Sequence, residues 1–149
     1  MRVRRAEVED IPAIARMAGQ LGGGAETETL PVRLRRILEH SHHAVFLAER
    51  DVGHDALASE PCGFIAAEHR LLLQSGEQVE LIALVVDAAS RRQGVGSQLV
   101  AAVEAWAVRR GVGRLRVRSS VTRSESHAFY PALGYALEKT QHCYARNLG

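Results

Sequence analysis

The spacing of apolar residues predicts helices and strands in mixed order along the chain. Apolar positions three and four residues apart indicate amphipathic helices, and this spacing occurs in IPAIARMAGQL, LPVRLRRILEH and VGSQLVAAVEAW. Asp10 and Thr29 stand where the first two of these helices would have their N-caps. A fourth, short helix fits SESHAFYPAL. The chain of 149 residues has the usual size of one domain, so we predict a single domain over residues 1–149.

Strand-like runs alternate with the helices. They are RVRRAEVED, AVFLAER, CGFIAAEHRLLL, EQVELIALVVD and RLRVRSS, and YALEKTQHCYARNL predicts a closing hairpin. The run from Leu81 to Val86 is almost continuously apolar, which predicts a central strand buried on both faces. The chain therefore belongs to a mixed class of helices and strands, with no internal repeat.

Composition excludes several classes of protein. Apolar residues make up 46% and charged residues 24%, as in a globular protein, and the mixed charges of the N-terminal segment favour neither a signal peptide nor a membrane span. Cys62 and Cys143 are far apart, which predicts two small thiols in a reducing, cytoplasmic setting. His40, His42 and His43 lack partners at metal-ligand spacing, so we predict a solvated helix end and no metal site.

The segment RRQGVGSQLV, from Arg91 to Val100, has two glycines one residue apart before a helix. The N–H groups at the start of a helix favour a bound anion, and glycine allows a phosphate to approach the backbone. The segment lacks the spacing and the lysine of a nucleotide-triphosphate loop, and Leu99 occupies the third glycine position of a dinucleotide-binding turn. A purely structural turn stays open, because the glycines alone do not decide.

Two motifs together resemble the GNAT N-acetyltransferase superfamily. LVVDAASRRQGVGSQLV is similar to its acetyl-coenzyme A signature, in which Arg91, Gly94 and Gly96 fill the defining positions. SESHAFYPALGY resembles its second motif, a short helix with an aromatic pair followed by a glycine and an aromatic residue. The resemblance implies an α/β (α+β) fold with a mixed, mostly antiparallel central sheet, flanked by helices and splayed near Val86. It also implies acetyl-coenzyme A-dependent N-acetyl transfer.

The resemblance assigns the coenzyme A site mainly to backbone. The N–H groups from Arg92 to Ser97 would hold the pyrophosphate, and the strand edge at Leu84 and Val86 would pair with the pantetheine arm. Ala88, Arg92 and Arg123 or Ser124 depart from the proline, glycine and asparagine that are frequent in the family. The expected cofactor-binding residues are Leu84, Val86, Arg91, Arg92, Gln93, Gly94, Val95, Gly96, Ser97, Arg123 and Ser124.

Glu80 and Tyr130 are the expected catalytic residues. An amine is protonated at neutral pH, so a base must remove a proton before attack. Glu80 precedes Arg91 by eleven positions, the offset of the catalytic glutamate in several GNAT enzymes, although a strand-end salt bridge is the alternative. Tyr130 matches the family tyrosine that protonates the departing thiolate, and packing against Phe129 is its alternative. His127 is a further candidate base.

The acceptor is expected beside the segment GGGAETETLPVRLRR. Glu26 and Glu28 could attract a cationic amine, whereas Arg33 or Arg36 could hold a carboxylate. The acceptor would be a small-molecule or peptide amine, and a homodimer is a common outcome in the family.

Two rival functions stay open. One is a catalytically inactive coenzyme A-binding sensor or regulatory module. The other is nucleic-acid binding through RLRVRSS, which the 5% aromatic content disfavours, so we predict neither a nucleic-acid nor a membrane partner.

Overall fold

The computed structural model describes residues 1–21, 28–53, 55–118 and 124–149. The described residues divide into two compact units, Met1–Val117 and Arg118–Gly149. The mixed order of helices and strands agrees with the apolar spacing. The elements are β1 (Arg2–Arg5), α1 (Ile11–Ala18), α2 (Leu30–Glu39), β2 (His43–Val52), β3 (Asp55–Leu72), β4 (Gly76–Val86), α3 (Val95–Arg109), β5 (Leu115–Val117) and α4 (Ser124–Ala132).

The first unit is built on a sheet with the strand order β1-β2-β3-β4-β5. Neighbouring strands are antiparallel from β1 to β4, with α1 and α2 between β1 and β2 and short connections between the later strands, whereas β4 and β5 are parallel. A parallel pair needs a crossover connection, and α3 supplies it between these two strands. The predicted mixed, mostly antiparallel sheet flanked by helices is confirmed.

Helices α1 and α2 cover one face of the sheet. Their apolar side chains pack against inward-facing residues of three strands and form one core cluster. The cluster consists of Ile11, Ile14, Met17, Leu34, Val45, Leu47, Phe64 and Val85. We call this side of the sheet the α1–α2 face.

Helix α3 covers the opposite face, where a glycine permits close contact. Val95, Leu99, Val103 and Trp106 are all buried, as their spacing predicts. A Cβ atom on Gly63 would lie 2.9 Å from the Val85 carbonyl oxygen and 3.3 Å from the side chains of Leu99 and Val95. The helix therefore packs directly on the backbone of β3.

The expectation that β4 is buried on both faces is wrong. Ile82 is 53% exposed, and β2, which is buried throughout Ala44 to Glu49, is the better-covered strand. The register explains the exposure, because Ala66 opposes Ala83 and Ala67 opposes Leu81, which leaves Ile82 as an extra residue in a β-bulge. A continuous apolar run is therefore compatible both with a strand buried on both faces and with a strand that contains a β-bulge.

Two local predictions also differ from the structure. Asp10 does not cap α1 through its side chain, because its carboxylate accepts hydrogen bonds from the Arg4 guanidinium at 2.8 Å and the Glu7 N–H at 2.7 Å. Residues 135–149 form neither helix nor strand, so the closing hairpin is not found. The β-branched and aromatic residues that favour strands are only Tyr135, Thr140 and Tyr144 in that segment, so its intrinsic preference for strand is weak. Among the described helices, none is long and apolar enough to cross a membrane.

Candidate active site

The glycine turn, which we define as residues 91–96, joins the end of β4 to α3. Arg92 and Gly94 both adopt left-handed backbone conformations, with φ of 65° and 79°. Arg91 is extended, and its Nε donates a hydrogen bond to the Val86 carbonyl oxygen at 3.2 Å. The chain thus reverses direction through two left-handed residues, one of which is not glycine.

The turn presents the N-terminus of a 15-residue helix. The N–H of Gln98 donates to the Gly94 carbonyl oxygen at 3.1 Å, so the N–H groups of Val95, Gly96 and Ser97 precede the first intrahelical bond. Together with the positive end of the helix dipole, these donors favour a bound anion. The role of the turn in holding the pyrophosphate stays a prediction.

Among the described residues, the pairing of β4 with β5 ends at Leu81 and Val117, five residues before the predicted splay near Val86. We call the part of β4 beyond Leu81, residues 82–86, the open edge. Leu84 and Val86 are half-buried there.

The bulge determines which backbone groups face the open edge. The N–H of Val79 donates towards β5, to Arg114, whereas the N–H of Asp87 donates towards β3, to Cys62. In a regular strand the N–H groups of two odd-numbered residues point to the same edge. Val79 and Asp87 instead point to opposite edges, because the extra residue Ile82 shifts the alternation by one position. The backbone groups of the even-numbered residues Leu84 and Val86 therefore face the open edge, as an added strand would require.

Glu80 lies just before the bulge and is buried, with 5% of its surface exposed. It is directly opposite Glu68 on β3 and Arg116 on β5. Because Glu68 is even-numbered on β3, like Phe64 in the core cluster, Glu80 faces the α1–α2 side of the sheet. Arg70 Nη1 donates to Glu80 Oε2 at 2.9 Å. The salt bridge, which the sequence left open as the alternative role of Glu80, is therefore present.

Arg70 was missed by sequence reasoning, although a signal for it was present. Its Nε also lies 3.7 Å from Glu68 Oε1, so the guanidinium contacts two carboxylates. Leu72 and Gly76 are paired at the end of the hairpin. Two residues from that pair along each strand, Arg70 is opposite Gln78, and Glu80 is the next residue on the same face of β4. That alignment of EHR with EQVE could have been made once the hairpin was recognised.

Tyr130 lies in the second unit, on α4, within an aromatic cluster. Its ring centroid is 5.0 Å from that of Phe129 and 6.0 Å from that of Tyr135, both at steep angles. The N–H of Tyr135 donates to the Tyr130 carbonyl oxygen at 3.1 Å, and Gly134 is left-handed with a φ of 93°. The glycine thus turns the chain so that both tyrosines meet, and Tyr130 is half-buried.

The other predicted residues have varied positions. Glu26 and Arg123 lie outside the described residues, and of Ser124 only the backbone, which begins α4, is described. Gln93 is exposed, and its amide donates to Ala89 at 3.5 Å. The side chains near the expected acceptor segment are exposed: Glu28, Arg33 and Arg36. His127 is also exposed.

The histidine cluster begins at the end of α2, where His40 and His42 are exposed as predicted, but His43 is half-buried and is the first residue of β2. His40 contacts His42 and His43 edge-on, with ring centroids 5.8 and 4.9 Å away. Burial lowers the pKa of His43, and the nearby His40 and His42 lower it further, against the opposite effect of Glu68. Among the described residues, no three His, Cys, Asp or Glu side chains are placed to hold a metal ion.

The sequence matches the model of the acetyltransferase (GNAT) family over residues 12–135, which includes both the glycine turn and the aromatic cluster. The chain belongs to this family. The family and the enzyme class predicted from the two motifs are therefore confirmed. A curated relative from Bacillus subtilis (strain 168), the uncharacterized N-acetyltransferase YhdJ, is 25% identical over 131 residues, which are 87% of this chain and 84% of the relative.

Solved structures of aminoglycoside acetyltransferases have the same fold. The enzyme AAC(6')-Iy in complex with the bisubstrate analogue CoA-S-monomethyl-acetylneamine has a TM-score of 0.85 at 23% identity, covering 98% of this chain and 97% of that one. The enzyme AAC(6')-Ih from Acinetobacter baumannii has a TM-score of 0.84 at 20% identity, covering 99% of each chain. At these identities the likeness establishes the architecture of this GNAT chain and no more.

Proposed function

We propose that this GNAT protein transfers the acetyl group of acetyl-coenzyme A to a primary amine of a small molecule or peptide, by direct attack in a ternary complex. The observation that carries the proposal is the arrangement along β4. A buried carboxylate at Glu80, an open strand edge and a helix N-terminus follow one another within a single strand–turn–helix unit. Base, thioester site and pyrophosphate site then have the order that the reaction needs.

Acetyl-coenzyme A fits the backbone groups that the structure leaves available. The N–H groups of Val95, Gly96 and Ser97 would hold the pyrophosphate, and Arg91 and Arg92 add positive charge at the same turn. The backbone of Leu84 and Val86 would hydrogen-bond the amides of the pantetheine arm, as a strand does at a sheet edge. Side-chain departures from the family pattern matter little to such a site.

The chemistry assigns one proton transfer to each catalytic residue. The acceptor ammonium, with an unperturbed pKa of about 10.4, gives a proton to the Glu80 carboxylate. The neutral amine attacks the thioester carbonyl carbon, and the tetrahedral intermediate expels the thiolate as the C–S bond breaks. The thiolate takes its proton from the phenol of Tyr130, the nitrogen of the new amide returns its surplus proton to the phenolate through solvent, and Glu80 releases its proton to solvent. The products are the N-acetylated amine and coenzyme A.

The thiols of the chain support direct attack. A covalent acetyl-enzyme would need an accessible thiolate, and only the ionised thiol is a good nucleophile. Cys62 is buried on β3, and burial raises the pKa of its thiol. Cys143 is exposed on a segment without regular structure, which gives it no base or oxyanion donor fixed by a helix or strand.

Several wider assignments belong to the same proposal. The charges of Glu26 and Glu28 in the sequence favour a cationic amine as the acceptor, and the aminoglycoside enzymes of the same fold support a small molecule. The two units act as one catalytic domain over residues 1–149, since the family match spans both. Free thiols at both cysteines are consistent with a cytoplasmic protein, and a homodimer would suit the family.

An acceptor screen with acetyl-coenzyme A and a thiol-release readout tests the proposal. We expect turnover with at least one amine, and a loss of about 10-fold or more in kcat for Tyr130→Phe but not for the exposed Tyr144→Phe. The rival sensor module predicts tight coenzyme A binding without turnover on any acceptor. Absence of coenzyme A density at residues 92–97 in a co-crystal would overturn the cofactor assignment.

A further inference from the structure

Two carboxylates and one guanidinium share one side of the β3–β4 hairpin. Glu68 is directly opposite Glu80, and Arg70, two residues further along β3, faces the same side. Arg70 Nη1 lies 2.9 Å from Glu80 Oε2, and Arg70 Nε lies 3.7 Å from Glu68 Oε1. We call these three residues the hairpin charge cluster.

The two carboxylates differ in their access to solvent. The Glu80 side chain is 6% exposed, whereas the side chains of Glu68 and Arg70 are 34% and 32% exposed. Like charges directly opposite each other in a sheet destabilise it, so the pair Glu68 and Glu80 needs compensation. Arg70 supplies that compensation from the next position on the same face.

Other charged groups on this face stand further along the same cross-strand row. Arg116 on β5 is opposite Glu80, and His43 on β2 is opposite Glu68. Burial lowers the pKa of His43, which favours its neutral form at neutral pH. Helices α1 and α2 pack apolar side chains against this face, and Arg70 makes a direct charged contact with Glu80.

A general base needs both a fixed orientation and sufficient proton affinity. A guanidinium paired with one carboxylate alone orients it but also stabilises its ionised form, which makes it a weaker base. A second carboxylate that contacts the same guanidinium reduces this stabilisation of the ionised form. It also keeps the cation paired when the first carboxylate becomes protonated.

We propose that Arg70 and Glu68 are positioning residues, which hold the Glu80 carboxylate in place and set its strength as a base by sharing one guanidinium. The inference rests on the proposed function, in which Glu80 accepts the proton of the acceptor ammonium. Arg70 fixes the orientation of Glu80, and Glu68 limits how strongly Arg70 stabilises the ionised form. Neither residue contacts the reacting atoms in this scheme.

The pH dependence of kcat/KM tests the inference, because the two positioning residues have opposite effects. In Arg70→Gln the acid limb should move to higher pH by about one unit, since the ionised carboxylate loses its cation. In Glu68→Gln the acid limb should move to lower pH by about half a unit, since Arg70 then pairs with Glu80 alone. A purely structural role would lower the rate of both variants without moving the limb in opposite directions.

Matched controls separate this effect from a general loss of charge. Arg109→Gln and Glu104→Gln change exposed residues of α3 and should leave the limb where it is in the wild type. Arg70→Lys keeps the cation and should restore most of the shift, while circular dichroism checks that each variant is folded. If Arg70→Gln does not fold, the shift in Glu68→Gln decides the question.

The outcomes distinguish this inference from the proposed function. Shifts in the same direction, or no shift in either variant, would overturn the positioning role while leaving Glu80 as the base. A Glu80→Gln variant with the wild-type pH profile would overturn the base assignment and the inference with it. If Glu80→Gln abolishes the acid limb, and Arg70→Gln and Glu68→Gln shift it in opposite directions, the base assignment and the positioning role are both supported.

Discussion

The two halves of the candidate site are built from different parts of the chain. The proposed cofactor half, formed by the open edge and the glycine turn, consists of backbone N–H and C=O groups. The proposed base half consists of side chains, with Glu80 in contact with Arg70 of the hairpin charge cluster. Backbone groups are available from many sequences, whereas a carboxylate in one orientation needs particular neighbours. The cofactor half should therefore tolerate side-chain changes that the base half does not.

Arg92 illustrates this tolerance. It stands where the family frequently has glycine, and the structure shows why glycine suits the position, since φ is 65° there. A left-handed residue with a Cβ costs about 1–2 kcal/mol, and the turn nevertheless keeps its shape. The departure thus lowers stability without removing a donor from the anion site.

The largest expected effect lies in the base half. Glu80→Gln should lower kcat/KM by about 100-fold or more, because the amide keeps the shape of the side chain but cannot accept the proton of the ammonium. Steady-state kinetics at several pH values measure the loss, with Glu104→Gln as the matched control. Activity within about threefold of the wild type would exclude Glu80 as the base.

An ion network between β1, β2 and the residue before α1 should affect stability and leave turnover intact. Arg4 contacts Asp10 at 2.8 Å and Glu49 at 2.7 Å, and its hydrogen bonds hold the pKa of each carboxyl below its usual range. Arg4→Met leaves two largely buried carboxylates without this partner and should lower the free energy of unfolding by about 3 kcal/mol. Urea denaturation measures the loss, and an unchanged kcat/KM for the folded variant would separate it from the base half.

The same network predicts a direction for the pH dependence of stability. Because the pKa values of Asp10 and Glu49 are lower in the folded state, their contribution is fully present above the unfolded-state values of about 4. It is lost as the pH falls through the folded-state values. Urea midpoints from pH 7 to pH 3 should therefore decrease more steeply in the wild type than in Arg4→Met. Parallel curves for the two proteins would contradict this role.

Gly63 allows α3 and the end of β4 to pack closely on β3, and a larger residue there should disturb the cofactor half. A Cβ in Gly63→Ala would meet the Val85 carbonyl oxygen at 2.9 Å, so α3 or the end of β4 must move, at a cost of about 2 kcal/mol. Coenzyme A affinity should decrease with stability, because Val85 lies in the open edge. Gly113→Ala has open space around the added Cβ and is the matched control. Equal stabilities of the two variants would show that the close approach is not needed.

The smallest effect, a gain, is expected at Arg92. Arg92→Gly should raise the free energy of unfolding by about 1 kcal/mol, since glycine relieves the left-handed strain. Coenzyme A affinity should change by less than about threefold if the N–H groups make the site. Arg92→Ala keeps the strain and removes the guanidinium, so it separates the effect of backbone strain on stability from any contribution of the side chain to coenzyme A binding. A large loss of affinity in both variants would mean that the side chain binds the cofactor.

The sequence predicted the elements whose periodicity is strong and the glycine turn that a backbone motif marks. The spacing of Val95, Leu99, Val103 and Trp106 identified the buried face of α3, and the two glycines identified the turn. The bulge at Ile82 could not be predicted, because a register shift depends on the partner strand and leaves the local pattern apolar.

Contacts between strands were the other limit. Arg70 contributes to the base half through pairing across a hairpin, and single-chain periodicity carries no information on which residues lie opposite each other. Asp10 failed as a cap for a similar reason, since a long-range partner, Arg4, binds its carboxylate. Local rules identify an N-cap by residue type, and a tertiary ion pair can override them.

The most direct test of the two-part site is a pair of titrations with coenzyme A, one of Glu80→Gln and one of Gly94→Ala, with kcat measured at saturating acetyl-coenzyme A. Glu80→Gln should bind coenzyme A as the wild type does and lose turnover by about 100-fold. Gly94→Ala, strained at a φ of 79°, should bind about tenfold more weakly and retain most of kcat. The reverse pattern, with affinity lost in Glu80→Gln and kcat lost in Gly94→Ala, would contradict a backbone cofactor half and a side-chain base half.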